Sequence, residues 1–207
     1  MNYVITIARG FGSGGRSIGE AVGKLLGINC YEKEILMMAS EESCIHETLF
    51  AEVDEKLRGG YIRNKLRSIP KNTLVTPMSK EFTSDNNLFN IQRKILNDLA
   101  KEESYVVVGK CADSVLEIGT PMLKVFVNAP QKKRIRTICN RLEVSETEAE
   151  KMILQTDKYR ADYYKYYTGG KNWRDPLNYD LFLNSGVFSV DKCAEIIVNA
   201  FETKYRS

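Results

Sequence analysis

One stretch near the start constrains this chain more than any other. It is Gly10-Phe11-Gly12-Ser13-Gly14-Gly15-Arg16-Ser17, preceded by Tyr3-Val4-Ile5-Thr6-Ile7-Ala8. It is followed by apolar residues at helical spacing, Ile18, Ala21, Val22 and Leu25. A β-branched run, a glycine turn and an amphipathic helix in that order admit few folds. Glycines tolerate positive φ and let successive backbone N–H groups converge, and a helix N-terminus adds partial positive charge. The spacing reads G-x-x-x-x-G-[basic]-[Ser/Thr], a phosphate-binding loop in its required strand–loop–helix setting. On that reading Gly10, Gly12, Ser13, Gly14, Gly15, Arg16 and Ser17 hold the phosphates of ATP. Arg16 bridges the β and γ phosphates, and the Ser17 hydroxyl faces Mg²⁺. Arginine stands at position 16 where the usual pattern has lysine. It keeps the charge and can grip phosphate with two donors, but it is bulkier and less mobile. The loop therefore argues for nucleotide binding before it argues for fast turnover. The bland alternative is a flexible turn capping a helix. Arg9 either faces the phosphates or sits on the surface at the strand end.

The rest of the chain fits a parallel α/β architecture. Short runs at Tyr3–Ala8, Ile28–Tyr31, Tyr105–Val108, Leu123–Val127 and Asp180–Leu183 are mostly continuously apolar, as strands buried on both faces are. Helical patterns lie between them at Ser17–Leu26, Leu88–Lys101, Gln131–Arg141, Glu146–Tyr167 and Val190–Tyr205. The alternation predicts a doubly wound fold, a three-layer P-loop domain over 1–207 with a five-stranded parallel sheet. Two excursions are expected to serve as flaps: a helical acceptor-binding insert over 40–104 and a basic, tyrosine-rich lid-like region over 132–176. Gly59-Gly60 and Gly169-Gly170 are candidate hinges or helix stops.

The 207 residues carry a formal charge of +3, too mild to argue for a nucleic acid polymer or a membrane surface. Five scattered cysteines without a C-x-x-C pair fit reduced thiols. The absence of a signal-like start or a long apolar run leads us to expect a soluble, cytoplasmic protein.

Several further motifs belong together: Cys30-Tyr31-Glu32-Lys33-Glu34, Val107-Val108-Gly109-Lys110-Cys111-Ala112-Asp113, Asp157-Lys158-Tyr159-Arg160-Ala161-Asp162-Tyr163-Tyr164 and Trp173-Arg174-Asp175-Pro176-Leu177-Asn178-Tyr179-Asp180-Leu181. With the glycine loop and its arginine, this set resembles the cytidylate kinase-like family of bacterial P-loop kinases nearly end to end, least over about 41–84. The resemblance implies transfer of the γ-phosphoryl of ATP to a nucleoside monophosphate such as CMP or dCMP. It assigns Glu32 to the acceptor site, where the family usually shows Asp. Lys110 stands for the family's arginine and would hold the acceptor phosphate, with Asp113 near ribose, base or metal-bound water. Asp157 and Arg160 would read a base edge and a phosphate. Arg134 and Arg141, seven apart on one helix face, would neutralise the transferring phosphoryl, while Arg136 points elsewhere.

Each assignment has a plainer competitor: a strand-end cation for Lys110, a solvated basic face for the arginines and a helix salt bridge for Asp157 and Arg160. The tyrosines from 159 to 167 read better as lid packing than as base platforms, and Met37-Met38 as core. Asp85 is a candidate N-cap and Gln92 a candidate to face the acceptor. His46 does not read as catalytic. No apolar strand ends in Asp, so Mg²⁺ would rest on Ser17, phosphate oxygens and water. Two other functions stay open: a nucleotide-binding pseudokinase or regulator, motivated by Arg16 and Lys110, and a kinase for a different small acceptor.

Overall fold

The computed structural model describes residues 2–32, 34–35, 37–38 and 85–205. His46, Gly59-Gly60 and most of the expected 40–104 insert lie outside them, as does the Asp85 side chain. In chain order the elements are β1 (Val4–Arg9), α1 (Gly15–Leu26), β2 (Asn29–Tyr31), α2 (Asp85–Glu102), β3 (Tyr105–Val108), α3 (Ala112–Val115), β4 (Met122–Asn128), α4 (Gln131–Leu142), α5 (Glu146–Tyr167), β5 (Leu181–Asn184) and α6 (Val190–Tyr205). The strands form one five-stranded sheet in the order β2-β3-β1-β4-β5, and every pairing is parallel. Parallel strands need crossovers, which here are the helices, so both faces of the sheet are covered.

Covering both faces explains the continuous apolar runs. On one side Ile5, Ile7, Val106, Val108, Val125 and Val127 pack against Ile18 and Val22 of α1 and Ala194, Ile197 and Phe201 of α6. On the other, Val4, Tyr105 and Val107 meet Leu88, Ile95 and Leu96 of α2. Nearer the C-terminal strand ends the second side turns aromatic, with Phe89, Phe126, Tyr164, Trp173 and Tyr179 in one cluster. Ring pairs within it, such as Phe126 with Trp173 at 5.1 Å and 69°, take edge-to-face geometry.

Local sequence sets the helix ends. Ser145 caps α5 by accepting from the Glu148 amide, and the Glu148 carboxylate returns the contact to the Ser145 amide, satisfying two otherwise orphaned donors. At the other end Gly169 and Gly170 adopt φ of 68° and 105°, the expected stop. Two expectations need correction. The buried face of α1 is Gly15, Ile18, Gly19, Val22 and Gly23, and Leu25 is 57% exposed. The glycines let the helix backbone approach the sheet, so the face turns toward them. Met37 is likewise exposed, and only Met38 touches the core. The short α3 went unpredicted because three residues before it, Gly109, Lys110 and Cys111, all have positive φ, 86°, 61° and 52°.

Gln92 lies on the buried face of α2, and neither amide atom has a hydrogen-bond partner among the described residues. A buried unpaired amide costs about 1–3 kcal/mol. Gln92→Leu should therefore raise the urea midpoint with an unchanged m-value; a lowered midpoint would show that the amide is satisfied in solution.

Candidate functional site

The site is built where β1, the central strand, runs out. Gly10 closes onto β4 through its N–H to the Val127 carbonyl at 3.0 Å, and the Ser13 N–H returns to the Gly10 carbonyl at 3.2 Å. Gly12 and Gly14 both have φ of 80°. At Gly12 a Cβ would also lie 2.9 Å from the Arg134 carbonyl, so a side chain is excluded twice, by conformation and by space. At Gly14 a Cβ would meet nothing within 4 Å; glycine is required there by φ alone, and the space beside it is open. α1 starts immediately afterwards with no side chain capping it and no acidic residue in its first turn. The first N–H groups of a helix have no intrahelical partner, so these amides and the positive end of α1 face the open side of the loop. This is an anion nest.

A triphosphate fits it. Ser13 Oγ and Asn128 Oδ1, buried at the loop, have no partner among the described residues. Arg16 is half-exposed, held by Glu20 at 2.8 Å and more loosely by Glu32 at 3.5 Å. Ion pairs this exposed contribute about 0–1 kcal/mol, so Arg16 is free to swing onto phosphate. Its pKa is raised, chiefly by the Glu20 hydrogen bond. Ser17 is exposed on the first turn of α1. Among the described residues no group of three His, Cys, Asp or Glu is placed to hold a metal. The donor set would suit a cation held mainly by phosphate oxygens and water, and the exposed Ser17 hydroxyl could be a ligand to it.

The loop is gripped from behind by α4 and α5. The Phe11 ring is buried with Ile138 of α4 and Ala149 and Ile153 of α5, and its main chain is bonded on both sides. The Phe11 N–H donates to Asp157 Oδ1 at 2.8 Å, and the Phe11 carbonyl accepts from Arg134 Nε at 2.7 Å. Arg134 closes the circle by donating from Nη2 to Asp157 Oδ2. Arg160 donates to the Arg9 carbonyl at 2.8 Å. The guanidinium groups of Arg141 and Arg160 stand 5.2 and 5.7 Å from the centre of the Phe11 ring. Arg134 and Arg141 thus meet the same residue, as their spacing on one helix face requires. Asp157 and Arg160 hold the loop as well. A fourth cation, Arg174, reaches Asp157 Oδ2 at 2.8 Å.

The far side of the site is made by β2 and β3. Arg9 crosses Gly15 and Gly109 and pairs with Glu32 at 2.8 Å, joining the loop to the end of β2. Lys110 is buried and left-handed at the turn after β3. Single positions of this kind cost on the order of 1–3 kcal/mol and gather at functional sites. Asp113 begins α3 and is 5% exposed. It accepts from the Tyr164 hydroxyl at 2.7 Å and the Ser114 hydroxyl at 3.1 Å. Burial pushes its pKa up, against the pull of those hydroxyls and of Lys124.

Sequence reasoning left Arg174 without a role and passed over Ser185. The Ser185 hydroxyl donates to the Ser13 carbonyl at 2.6 Å, a contact 172 residues long that no local pattern signals. Trp173-Arg174 was visible as a motif, yet nothing in its spacing linked it to Asp157.

A parallel sheet in this strand order, with a glycine nest leading from its central strand into a helix, defines a P-loop kinase fold. The crystal structure of an uncharacterized protein from Eubacterium ventriosum superposes with a TM-score of 0.70 at 22% identity, over 98% of this chain and 99% of that one. A sugar kinase from Janibacter matches at 0.55 and 13%, over 98% and 95%. Shikimate kinase from Acinetobacter baumannii, solved with shikimate, matches at 0.52 and 12%, over 100% and 97%. No curated protein matches the sequence. The sequence profile of the Cytidylate kinase-like family matches residues 4–187, and the chain belongs to that family.

Asp157 and Arg134 are both almost fully enclosed, and breaking such a pair strands a charge. Asp157→Ala should lower unfolding free energy by about 3–5 kcal/mol in urea titrations. A raised carboxyl pKa in the folded state gives stability that is whole below the ordinary carboxylate pKa and fades as pH rises through the folded value. Asp113→Asn should therefore show a smaller decline in melting temperature than the parent across that range, read by paired melts at a series of pH values.

Proposed function

We propose that the protein is an ATP-dependent phosphotransferase acting on a nucleoside monophosphate, CMP or dCMP foremost. The observation that carries this is the uncapped start of α1 opening behind Gly12 and Gly14 at the end of β1. The triphosphate of ATP lies in that nest, with the amides of Gly12 and of residues 14–17, Arg16 and the Ser13 hydroxyl as donors. Mg²⁺, when bound beside Ser17, would supply charge neutralisation between the β and γ phosphates. The acceptor lies toward β2 and β3, its phosphate on Lys110, with Glu32 and Asp113 for ribose or base. Arg160 spans the two halves through the Arg9 carbonyl.

In this reading an oxygen of the acceptor phosphate attacks the γ phosphorus. A new P–O bond forms as the bond to the β,γ-bridging oxygen breaks, giving ADP and a nucleoside diphosphate. The acceptor oxygen is already ionised, so no general base is needed; positioning and fixed positive charge lower the barrier. Arg141, exposed over the Phe11 ring, is a lid cation available to the transferring group. Arg134 acts differently: its Nε and Nη2 bonds shape the loop, making it a positioning residue. The reading also places the protein in the cytoplasm, where ATP and mononucleotides are found.

A second reading has a specific observation behind it. Arg16 pairs with Glu20 and Glu32, which suits a nucleotide-binding protein that turns over little. Coupled ADP release decides between them, run across CMP, dCMP, UMP, AMP and GMP, with shikimate as an acceptor of another class. We expect turnover with CMP or dCMP at least tenfold above the other acceptors. ATP binding without ADP release from any of them, unrestored by Arg16→Lys, would establish the second reading. Release with shikimate alone would move the acceptor out of the nucleotides.

A further inference from the structure

Four arginines, Arg134, Arg141, Arg160 and Arg174, gather around Phe11 and Asp157, and the structure distinguishes the fixed from the movable among them. Asp157 carries one negative charge and is almost fully buried. Its Oδ1 is taken by the Phe11 N–H, while its Oδ2 receives two guanidinium groups, Arg134 and Arg174. One anion facing two cations leaves a net positive charge beside the loop. Arg134 cannot carry that surplus elsewhere. It is 6% exposed, its Nε is committed to the Phe11 carbonyl, and moving it would break that bond and leave the buried Asp157 with only the half-exposed Arg174.

Arg174 is built the opposite way. Its side chain is 54% exposed, and it meets Asp157 from the solvent side. The residue before it, Trp173, is buried in the aromatic cluster, and the Arg174 guanidinium lies 5.8 Å from the centre of that ring. Its own N–H is tied to the Asn172 side chain at 3.0 Å. The base of the side chain is therefore anchored while the head is exposed. The pair is open on one side only. The Arg174 head is 54% exposed, while the carboxylate is buried and keeps Arg134 when Arg174 leaves. The head can therefore move to the clustered oxygens of a phosphate, which it can grip with two donors. A single carboxylate separates the head from the Phe11 main chain.

We propose that Arg174 is a further catalytic residue, leaving Asp157 to bind the transferring phosphoryl group once ATP fills the nest. This rests on reading the site as a phosphotransferase. The step is the transfer already given: Arg174 offers N–H donors to the equatorial oxygens of the phosphorus while one P–O bond forms and the other breaks, and it gains or loses no proton. Asp157 stays neutralised by Arg134 throughout, so the loop keeps its shape when Arg174 departs. Arg134 and Arg174 thus divide two tasks between them, one holding the loop and one following the charge.

The test compares Arg174→Ala and Arg174→Lys with the parent, using the acceptor that the parent turns over best. For Arg174→Ala we expect a melting temperature within about 2 °C of the parent, because Arg134 still neutralises Asp157 when the half-exposed Arg174 head is removed. We expect an affinity for a fluorescent ATP analogue within threefold of the parent and a kcat lower by about 100-fold. Arg174→Lys should recover part of the kcat, since charge returns without the fork. An unchanged kcat overturns the proposal. So does a loss confined to the KM for ATP, or a kcat loss matched by a large drop in melting temperature, which would make Arg174 part of the scaffold. A parent enzyme that transfers phosphoryl to no acceptor removes the phosphotransferase reading itself and this proposal with it, an outcome separate from failure in the variants alone.

Discussion

The grip on Phe11 is the interaction on which the rest of this site depends. A glycine-rich loop has little reason of its own to hold one shape, because glycine loses more conformational entropy on ordering than any other residue. Here the loop is fixed by something that is not glycine. The Phe11 ring is sunk between α4 and α5, and burial of a ring that size contributes about 1.5–3 kcal/mol. Its amide and carbonyl are then claimed by Asp157 and Arg134, whose mutual ion pair is enclosed. The nest is preorganised because its shape is set from outside, and the α4–α5 pair is thereby made part of the nucleotide site.

That arrangement recasts the arginine-rich segment. Viewed as sequence, Arg134, Arg141, Asp157 and Arg160 are charges on two helices and invite a lid that closes over substrate. In the fold they surround the loop from behind: Arg134 and Asp157 are buried, Arg160 holds the Arg9 carbonyl, and Arg141 rests over the ring. Charge near the phosphates is graded by exposure, from enclosed Arg134 to open Arg141 and Arg174. The enclosed cation shapes the loop and the exposed ones stand at its rim, a grading of the kind electrostatic preorganisation uses.

The sheet was largely legible because it is parallel. Strands covered on both faces must be apolar throughout, and such runs stand out without an alignment; the helices between them carried caps and periodicity. The nest was legible because its chemistry is local, eight residues in a row. What sequence reasoning missed has a common cause. Asp157 meets Phe11 across 146 residues, and Arg9 finds Glu32 across 23; such partnerships depend on tertiary placement, which spacing does not encode. Leu25 misled because a hydrophobic residue at the right interval was taken for the buried face, while three glycines brought the helix in on another. α3 was hidden by consecutive left-handed residues, a conformation that Lys and Cys do not advertise.

The Ser185 hydroxyl, which donates to the Ser13 carbonyl at 2.6 Å and lies 3.1 Å from that of Asn128, has a consequence for how the protein is made. The phosphate nest begins at residue 10, yet its outer wall is fastened by a residue that emerges from the ribosome 172 positions after Ser13. Contacts of such separation are entropically expensive to close and form late. A nascent chain halted before β5 would carry every glycine of the loop and still lack the fastening that fixes the Ser13 carbonyl. The most local motif in the sequence is in this way completed only by a contact with a residue that follows β5.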